Sequence, residues 1–401
     1  MGHIQAEITD VQHSKLCYSM DRYCGHPRQL PFRNFGNGEI VVAHHHAPAN
    51  YETVENITHG HNYYKGRAQV LLQRSLDNGA TWKRDDDVVV WDHSLDLEER
   101  RAIMERANEP GASRMTIDIT NPDSIVSFAR QATGTEDTEG NPTLECFAFR
   151  SNNRGRTWET SPTKVVPPRG YNFVGIDGQS PIQFPDGTQV VPAWVDNRNS
   201  GTLRDYNDAI VALYGTDDQG LTWNYISEVV RDNNVWGRPG YANLILLSNG
   251  RLQCYFNRFD GVRNDIELTY SDDGGYSWSR PQPIVSWGNS PWASRHRAGD
   301  HWNGWLYRSP WPVLLNDGRV VVLFARRKSP SGIGLFVSED NGVNWSDEVI
   351  VRDDGSGSDL GYPVATELDN GQIFTAYYFM EEDGNNFGGS RYMAASTFHL
   401  S

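Results

Sequence analysis

The sequence lacks the features that would assign it to several common classes of protein. Its 401 residues include only four cysteines, which form neither a disulfide framework nor a Cys-x-x-Cys metal motif. These cysteines are Cys17, Cys24, Cys146 and Cys254. The longest apolar runs, such as Val320 to Ala325, are far too short to span a membrane. Lys and Arg number 36 against 51 Asp and Glu, and the net charge of −15 argues against nucleic acid or an anionic membrane as a partner.

The ends and the composition set further bounds. The first stretch, Met1 to Leu16, is polar and carries no signal-peptide pattern, so the compartment stays open between the cell interior and export with a leader removed. Length alone allows one to three domains. The 38 glycines, 13 tryptophans and 18 tyrosines indicate many turns and short strands, and a hydrophobic fraction of 38% is typical of a globular chain.

One pattern, Ser/Thr-x-Asp/Asn-x-Gly-x-Thr/Ser/Asn-Trp, occurs five times, at spacings close to one supersecondary unit. The copies are Ser75–Trp82, Ser151–Trp158, Thr216–Trp223, Ser271–Trp278 and Ser338–Trp345. The Asp or Asn is expected to bond backbone N–H groups of its loop, and the Gly to adopt a positive φ. We expect the Trp to pack on the hydrophobic layer of its own repeat. These boxed turns are therefore interpreted as structural.

A second pattern, Asn-Gly or Asp-Gly followed by β-prone residues, marks hairpin turns. The turns contain Gly38, Gly187, Gly250, Gly318 and Gly371, and Ser124 marks a degenerate sixth. Each unit then comprises four antiparallel strands, which is a blade of a β-propeller. We predict an all-β, six-bladed propeller forming one domain over residues 1–401. A strand near Ala6 to Gln12 is expected to close the last blade, and a short helix is expected near Leu97 to Arg106.

The boxed turns and six blades resemble the sialidase (neuraminidase) superfamily over nearly the whole chain. In that family three arginines hold the substrate carboxylate, a Tyr–Glu pair supplies the nucleophile, and an Asp on a loop of the first blade is the acid/base. The resemblance implies a carboxylate clamp of Arg28, Arg258 and Arg326, with Arg327 as the alternative to Arg326. It implies that Tyr362, nine residues before the last Asn-Gly turn, is the nucleophile.

Two positions depart from the family pattern. Tyr241 stands where the family has the Glu partner, and His59-Gly60-His61 stands on the loop that should hold the acid/base Asp. A retaining glycosidase normally uses two carboxylates, and a tyrosine with a pKa near 10 needs a base to become nucleophilic at neutral pH.

Counting back from the turns indicates substitutes. Asp177 lies ten residues before Gly187, at the same height as Arg28, and is a candidate replacement for the lost Glu. His59 or His61 is a candidate acid/base, because His titrates near neutrality. Arg308 has the same offset from its own turn.

We expect Arg308, His26 and His46 among the substrate-binding residues. Ordinary structural roles remain open for all these residues: salt-bridged arginines, a channel-filling Tyr362 and a turn at Asp177. The run His44-His45-His46 also permits a zinc site with His59 and His61. We favour a loop-lining set that binds substrate or packs, and we expect no metal and no other cofactor.

Three functions fit this set of residues. The first is an exo-acting glycoside hydrolase for a terminal sialic, ulosonic or uronic acid, with Tyr362 as the nucleophile. The second is a polysaccharide lyase acting on a uronic acid, which needs arginine to neutralise the carboxylate and Tyr or His as acid and base but no carboxylate pair. The third is a non-catalytic glycan-binding propeller. All three imply an oligosaccharide or polysaccharide partner and leave the oligomeric state open.

Overall fold

Six antiparallel sheets form the molecule, which confirms the predicted all-β six-bladed propeller. The computed structural model describes residues 4–58, 64–108, 115–136, 142–177, 179–197, 209–231, 238–259, 264–285 and 307–401. Runs rich in β-branched and aromatic residues form the strands. In Val320–Arg326 the first six side chains are all buried, because a blade is covered on both faces by its neighbours.

The first three blades follow one another along the chain after the N-terminal strand β1 (Ile8–Cys17). Blade 1 consists of β2 (Arg22–Gly25), β3 (Phe32–Asn34), β4 (Ile40–Pro48), β5 (Gln69–Ser75) and β6 (Val88–Asp92). Blade 2 consists, within the described residues, of β7 (Ile125–Glu136), β8 (Pro142–Ser151) and β9 (Thr163–Val165). Blade 3 consists of β10 (Phe173–Ile176), β11 (Ile182–Gln183), β12 (Gln189–Asp196), β13 (Ile210–Thr216) and β14 (Asn224–Arg231).

The last three blades are four-stranded. Blade 4 consists of β15 (Arg238–Leu246), β16 (Leu252–Phe259), β17 (Asn264–Ser271) and β18 (Gln282–Val285). Blade 5 consists of β19 (Tyr307–Leu314), β20 (Val320–Arg326), β21 (Ser331–Ser338) and β22 (Val349–Gly355). Blade 6 consists of β23 (Gly361–Glu367), β24 (Ile373–Met380), β25 (Arg391–Leu400) and β1. The N-terminal strand therefore closes the ring, as predicted, by pairing with β25.

Within the part of the chain that the structure describes, helical structure occurs in short segments between strands. The helix α1 (Leu97–Asn108) confirms the one predicted near Leu97 to Arg106, and its Met104 packs into the core between blades 1 and 2. Four 3-10 helices span Pro27–Gln29, Val54–Ile57, Tyr64–Arg67 and Arg84–Asp86. Among the described residues, no helix has both the length and the hydropathy that a membrane crossing requires.

The boxed turns stabilise the contacts between blades. In the first copy, Asp77 accepts hydrogen bonds from the backbone N–H of Thr81 (2.8 Å) and from its hydroxyl (2.6 Å), and Trp82 Nε1 donates to the Gly79 carbonyl (3.0 Å). A Cβ at Gly79, which has φ +86°, would lie 2.4 Å from the Phe374 ring of blade 6. The Trp82 ring also lies against Phe374 (6.1 Å between centroids). The expectation that this tryptophan packs on its own repeat is therefore wrong, because the box docks on the preceding blade.

Candidate active site

Three innermost strands carry the same irregularity near one end of the central channel. In β15, β19 and β23 the pairing register shifts at a β-bulge. Each bulge holds a residue with positive φ, namely Tyr241 (+55°), Ser309 (+58°) and Tyr362 (+54°). Positive φ is unfavourable for bulky side chains, and bulges that aim side chains are frequent at functional sites. The repetition on blades 4, 5 and 6 directs attention to this end of the channel.

Two tyrosines and one arginine meet there, and we call Tyr241, Arg308 and Tyr362 the tyrosine–arginine cluster. The two phenol oxygens are 2.9 Å apart. Arg308 donates to the Tyr362 hydroxyl from Nη2 (2.7 Å) and Nε (3.2 Å), and Nη2 also donates to the Tyr241 hydroxyl. One guanidinium therefore contacts both phenols, and the three side chains come from blades 4, 5 and 6.

Arg308 and Tyr362 are buried and Tyr241 is half-buried, and the burial of Tyr362 affects its protonation. Burial raises the pKa of Tyr362 above its usual range, and the positive charge of Arg308 opposes that rise. Tyr362 is therefore a neutral phenol at neutral pH. Arg308 can stabilise a phenolate on either oxygen if the proton is removed during a reaction.

Arg28 and Asp177 form an ion pair beside this cluster. Arg28 donates from Nη1 to Asp177 (3.0 Å) and from Nη2 to the Ala242 carbonyl (3.0 Å), and its guanidinium lies 5.1 Å from the centre of the Tyr241 ring. Arg130 of blade 2 contacts the second Asp177 oxygen at 3.4 Å. Arg130 has no counterpart in the resemblance, and the sequence analysis missed it.

The rings of His26 and Tyr378 pack near Tyr362. The ring of His26 lies 4.7 Å from that of Tyr362 and stacks on Tyr378 (4.8 Å). Arg327 donates to the Tyr378 hydroxyl (2.8 Å) and to the Leu360 carbonyl, and its guanidinium lies 5.8 Å from the Tyr362 ring centre. Tyr378 was missed because its position on β24 relates to no turn offset of the family pattern.

Two expected clamp residues are engaged by carboxylates in their own blades. Arg326 donates from Nε to Glu348 (3.0 Å), and Arg258 donates from Nε to Glu267 (2.8 Å). Adjacent residues of an extended chain point to opposite sides, so Arg326 and Arg327 cannot both face the cluster. Of the two, Arg327 lies near Tyr362 and Arg326 pairs with Glu348, and which of them binds a substrate carboxylate stays a prediction.

The histidines divide between several places. His44 contacts Gln73 Oε1 through Nε2 (3.1 Å). His46 lies beside Cys17 and Cys24, and its expected role in substrate binding stays a prediction. His59 and His61, the candidate acid/base residues, lie outside the described residues.

A cavity of about 360 Å³ lies at the opposite end of the channel from the cluster. Its lining includes Ser124, Gln189, Leu246 and Leu314, which lie next to the hairpin turns of their blades. Leu246 and Leu314 lie at the ends of β15 and β19 that are opposite to Tyr241 and Arg308. The cavity holds few charged groups, whereas the cluster end brings Arg28, Arg130, Arg308 and Arg327 together and is suited to an anion.

Comparisons with known proteins agree with this architecture. Residues 122–375 match the BNR repeat-like domain family. No curated protein matches the chain. A protein of unknown function from Dyadobacter fermentans DSM 18053 has a similar structure, with 19% identity, a TM-score of 0.69, and coverage of 98% of this chain and 99% of that one.

Two sialidase structures share the fold. The Hadza microbial sialidase Hz136 is 14% identical, with a TM-score of 0.59 over 97% of this chain and 68% of its own. The intramolecular trans-sialidase from Ruminococcus gnavus, in complex with oseltamivir carboxylate, is 13% identical, with a TM-score of 0.56 over 94% of each chain. The chain thus belongs to the BNR repeat-like domain family and has the fold of a sialidase-like six-bladed β-propeller.

Proposed function

We propose that this chain is an exo-acting glycoside hydrolase that removes a terminal carboxylated sugar, of the sialic, ulosonic or uronic acid type, from a glycan. The observation that carries the proposal is the contact of the Arg308 guanidinium with both phenol oxygens of Tyr241 and Tyr362. The fold shared with a sialidase and an intramolecular trans-sialidase supports it.

The charges at this end of the channel favour an anionic sugar. Arg308, Arg327 and Arg28 converge on the two tyrosines, and of these Arg28 already contacts Asp177. Guanidinium groups bind carboxylates through paired hydrogen bonds and keep their charge at any physiological pH. We assign the substrate carboxylate to Arg308 and Arg327, with Arg28 as a third positive charge.

The reaction would proceed through Tyr362. Its oxygen forms a bond to the anomeric carbon while the glycosidic C–O bond breaks and the leaving oxygen takes up a proton. The Tyr362 proton passes to the Tyr241 hydroxyl, 2.9 Å away, as Tyr241 gives up its own proton, and we assign Asp177, the ion-pair partner of Arg28, as the final acceptor. The candidate donors to the leaving oxygen are His59 and His61. Water then hydrolyses the tyrosyl–sugar bond and restores the phenol.

One observation favours elimination as a second candidate. Within the described residues, the hydrogen-bond partners of the Tyr362 hydroxyl are Arg308 and Tyr241, and no carboxylate accepts a hydrogen bond from it. A lyase needs no carboxylate: a phenolate removes the proton next to the uronic acid carboxylate, a C=C bond forms, and a phenol protonates the departing oxygen. The pair of Tyr241 and Tyr362 would supply that base and that acid.

The test is incubation with a panel of sialosides and uronic acid oligosaccharides in ¹⁸O-labelled water. Hydrolysis releases an acidic sugar that has gained one water and its label, with a transient adduct on the Tyr362 peptide detectable by mass spectrometry. Elimination gives an unsaturated uronate, with new ultraviolet absorbance and no label. Binding without cleavage would leave a glycan-binding propeller and overturn both reactions.

Variants tie the reaction to the cluster. Tyr362→Phe should lower kcat/KM by at least about 1,000-fold in either reaction, because it removes the reacting oxygen. Tyr255→Phe is the matched control, since Tyr255 is equally buried but contacts Gln253 in blade 4. Full activity in Tyr362→Phe would contradict the assignment of this site.

A further inference from the structure

Two cysteines and a histidine meet at the junction between the last and the first blade. Cys17 ends β1, the strand that completes blade 6, whereas Cys24 on β2 and His46 on β4 are cross-strand partners in blade 1. Their ligand atoms all lie within 4.8 Å of one another, and the two sulfurs are 3.3 Å apart. No turn spacing or sequence motif brings these residues together, since Cys17 and Cys24 belong to different sheets.

The two cysteines and one ring nitrogen of the partly buried His46 are shielded from solvent. Cys24 is fully buried and Cys17 is 1% exposed. The Nε2 atom of His46 is buried and has no hydrogen-bond partner among the described residues. A buried imidazole nitrogen without a partner is unfavourable, and an atom bound at this position would remove that cost.

We propose that Cys17, Cys24 and His46 bind one thiophilic metal ion, with Zn²⁺ as its reference member. Thiolate sulfur and imidazole nitrogen are the ligands that such ions prefer. Zn–S bonds of about 2.3 Å at a tetrahedral angle separate two sulfurs by about 3.8 Å. The two sulfurs, now 3.3 Å apart, would have to move apart by only about 0.5 Å to bind the ion. Three protein ligands leave a fourth position for water or another ligand.

The neighbouring groups suit thiolates. Arg84 donates from Nη2 to the Cys17 sulfur at 3.2 Å, which supports the anionic form of that sulfur. His44 lies beside His46, with ring centres 6.0 Å apart, and its nitrogens contact Gln73 and the His45 carbonyl. The ligand set is therefore three residues, and His44 is not one of them.

The ion would hold the last blade to the first. It joins the strand that completes blade 6 to two strands of blade 1, at the closure that otherwise depends on β1 pairing with β25. Cys24 also lies two residues before His26, whose ring contacts Tyr362. Because a metal that binds only the folded state stabilises it by mass action, loading the site should strengthen closure.

The test uses the full chain, reduced and freed of metal with a chelator. We expect one equivalent of Zn²⁺ to bind and raise the melting temperature. Co²⁺ should give thiolate charge-transfer absorption together with visible bands of tetrahedral intensity. Cys17→Ser and Cys24→Ser should weaken binding by more than about 100-fold and abolish the charge-transfer band, and His46→Asn should weaken binding while keeping the band. Cys146→Ser and Cys254→Ser are matched controls, because both residues are buried cysteines outside the cluster.

Several results would overturn the proposal. These are the absence of stoichiometric binding by the reduced chain, an unchanged Co²⁺ spectrum in Cys17→Ser, or a Cys17–Cys24 disulfide in protein purified without reductant. Protection of two thiols from alkylation by Zn²⁺ in the unaltered protein tests the site even if a variant fails to fold. None of these readouts depends on glycan cleavage, so the metal site and the proposed reaction can fail separately.

Discussion

The boxed turns and the inner-strand bulges both place residues in left-handed backbone, but they do so with different side chains. In the first box the positions are Asn78 and Gly79, where φ is +60° and +86°, and Asn is among the residues that tolerate this conformation best after Gly. In the bulges of blades 4 and 6 the positions are Tyr241 and Tyr362, with φ of +55° and +54°. Glycine adopts this conformation without strain, whereas a tyrosine there costs on the order of 1–2 kcal/mol.

The difference separates residues that hold the ring together from those that form the candidate site. The hydrogen bonds that shape each box span a few residues, and the box glycines touch the preceding blade. The bulges retain strain, and their side chains reach across blades to Arg308. Strain persists where the surrounding structure over-determines it, and here it directs two phenols to one point.

The largest expected effect on stability comes from placing a side chain at the positive-φ glycine of a boxed turn. Gly79→Ala adds a Cβ 2.4 Å from the Phe374 ring at positive φ, so we expect a loss of about 3 kcal/mol in the free energy of unfolding by urea. Gly371→Ala is the control, since its φ is also positive but its Cβ would meet nothing within 4 Å, and it should cost about 1 kcal/mol. Equal losses in the two variants would contradict docking between blades as the cause.

The second prediction distinguishes the roles of two adjacent arginines, Arg326 and Arg327. Arg327→Ala should raise KM by about 10-fold for an acidic glycan, because this guanidinium lies by Tyr362 and Tyr378. Arg326→Ala should leave KM unchanged and lower stability slightly, since Arg326 pairs with Glu348. Steady-state kinetics with both variants measures the contrast. A KM effect confined to Arg326→Ala would instead support Arg326 as the third clamp arginine.

The third prediction tests whether the Ser309 side chain offsets the backbone strain at its bulge. Ser309 has positive φ, and its buried hydroxyl has no hydrogen-bond partner among the described residues. Ser309→Gly removes both costs and should raise stability by about 1 kcal/mol after the added chain entropy is included. Urea unfolding measures this effect, and destabilisation would show that the Ser309 side chain stabilises the fold.

The smallest effect concerns the pH dependence of the boxes. Burial acts to raise the pKa of Asp77, but the hydrogen bonds from Thr81 outweigh it and the pKa lies below its ordinary value. The unfolded chain then binds more protons, so this stabilisation is present above the unfolded pKa near 4 and is lost as pH falls below it. Asp77→Asn should make the acid loss of stability shallower. The second box, with Asn153 at this position, shows that Asn keeps the turn.

The repeated turns explain how much of the site was predictable. Inner strands of a propeller run from the channel mouth to their turns over similar lengths, so counting back from each turn reached Arg28, Asp177, Tyr241, Arg308 and Tyr362, which the structure brings together. The third clamp arginine was left open between Arg326 and Arg327, because a position after a strand does not decide which of two adjacent side chains faces the channel.

The sequence by itself determined the blades, since a boxed turn or an Asx-Gly turn depends on hydrogen bonds and backbone angles within a few residues. Only the tertiary structure decided which distant groups meet. Closure of the ring sets Cys17 of blade 6 beside Cys24 of blade 1, and Arg28 of blade 1 beside Asp177 of blade 3. Contacts of that kind depend on how six sheets pack around one axis, and no local pattern encodes them.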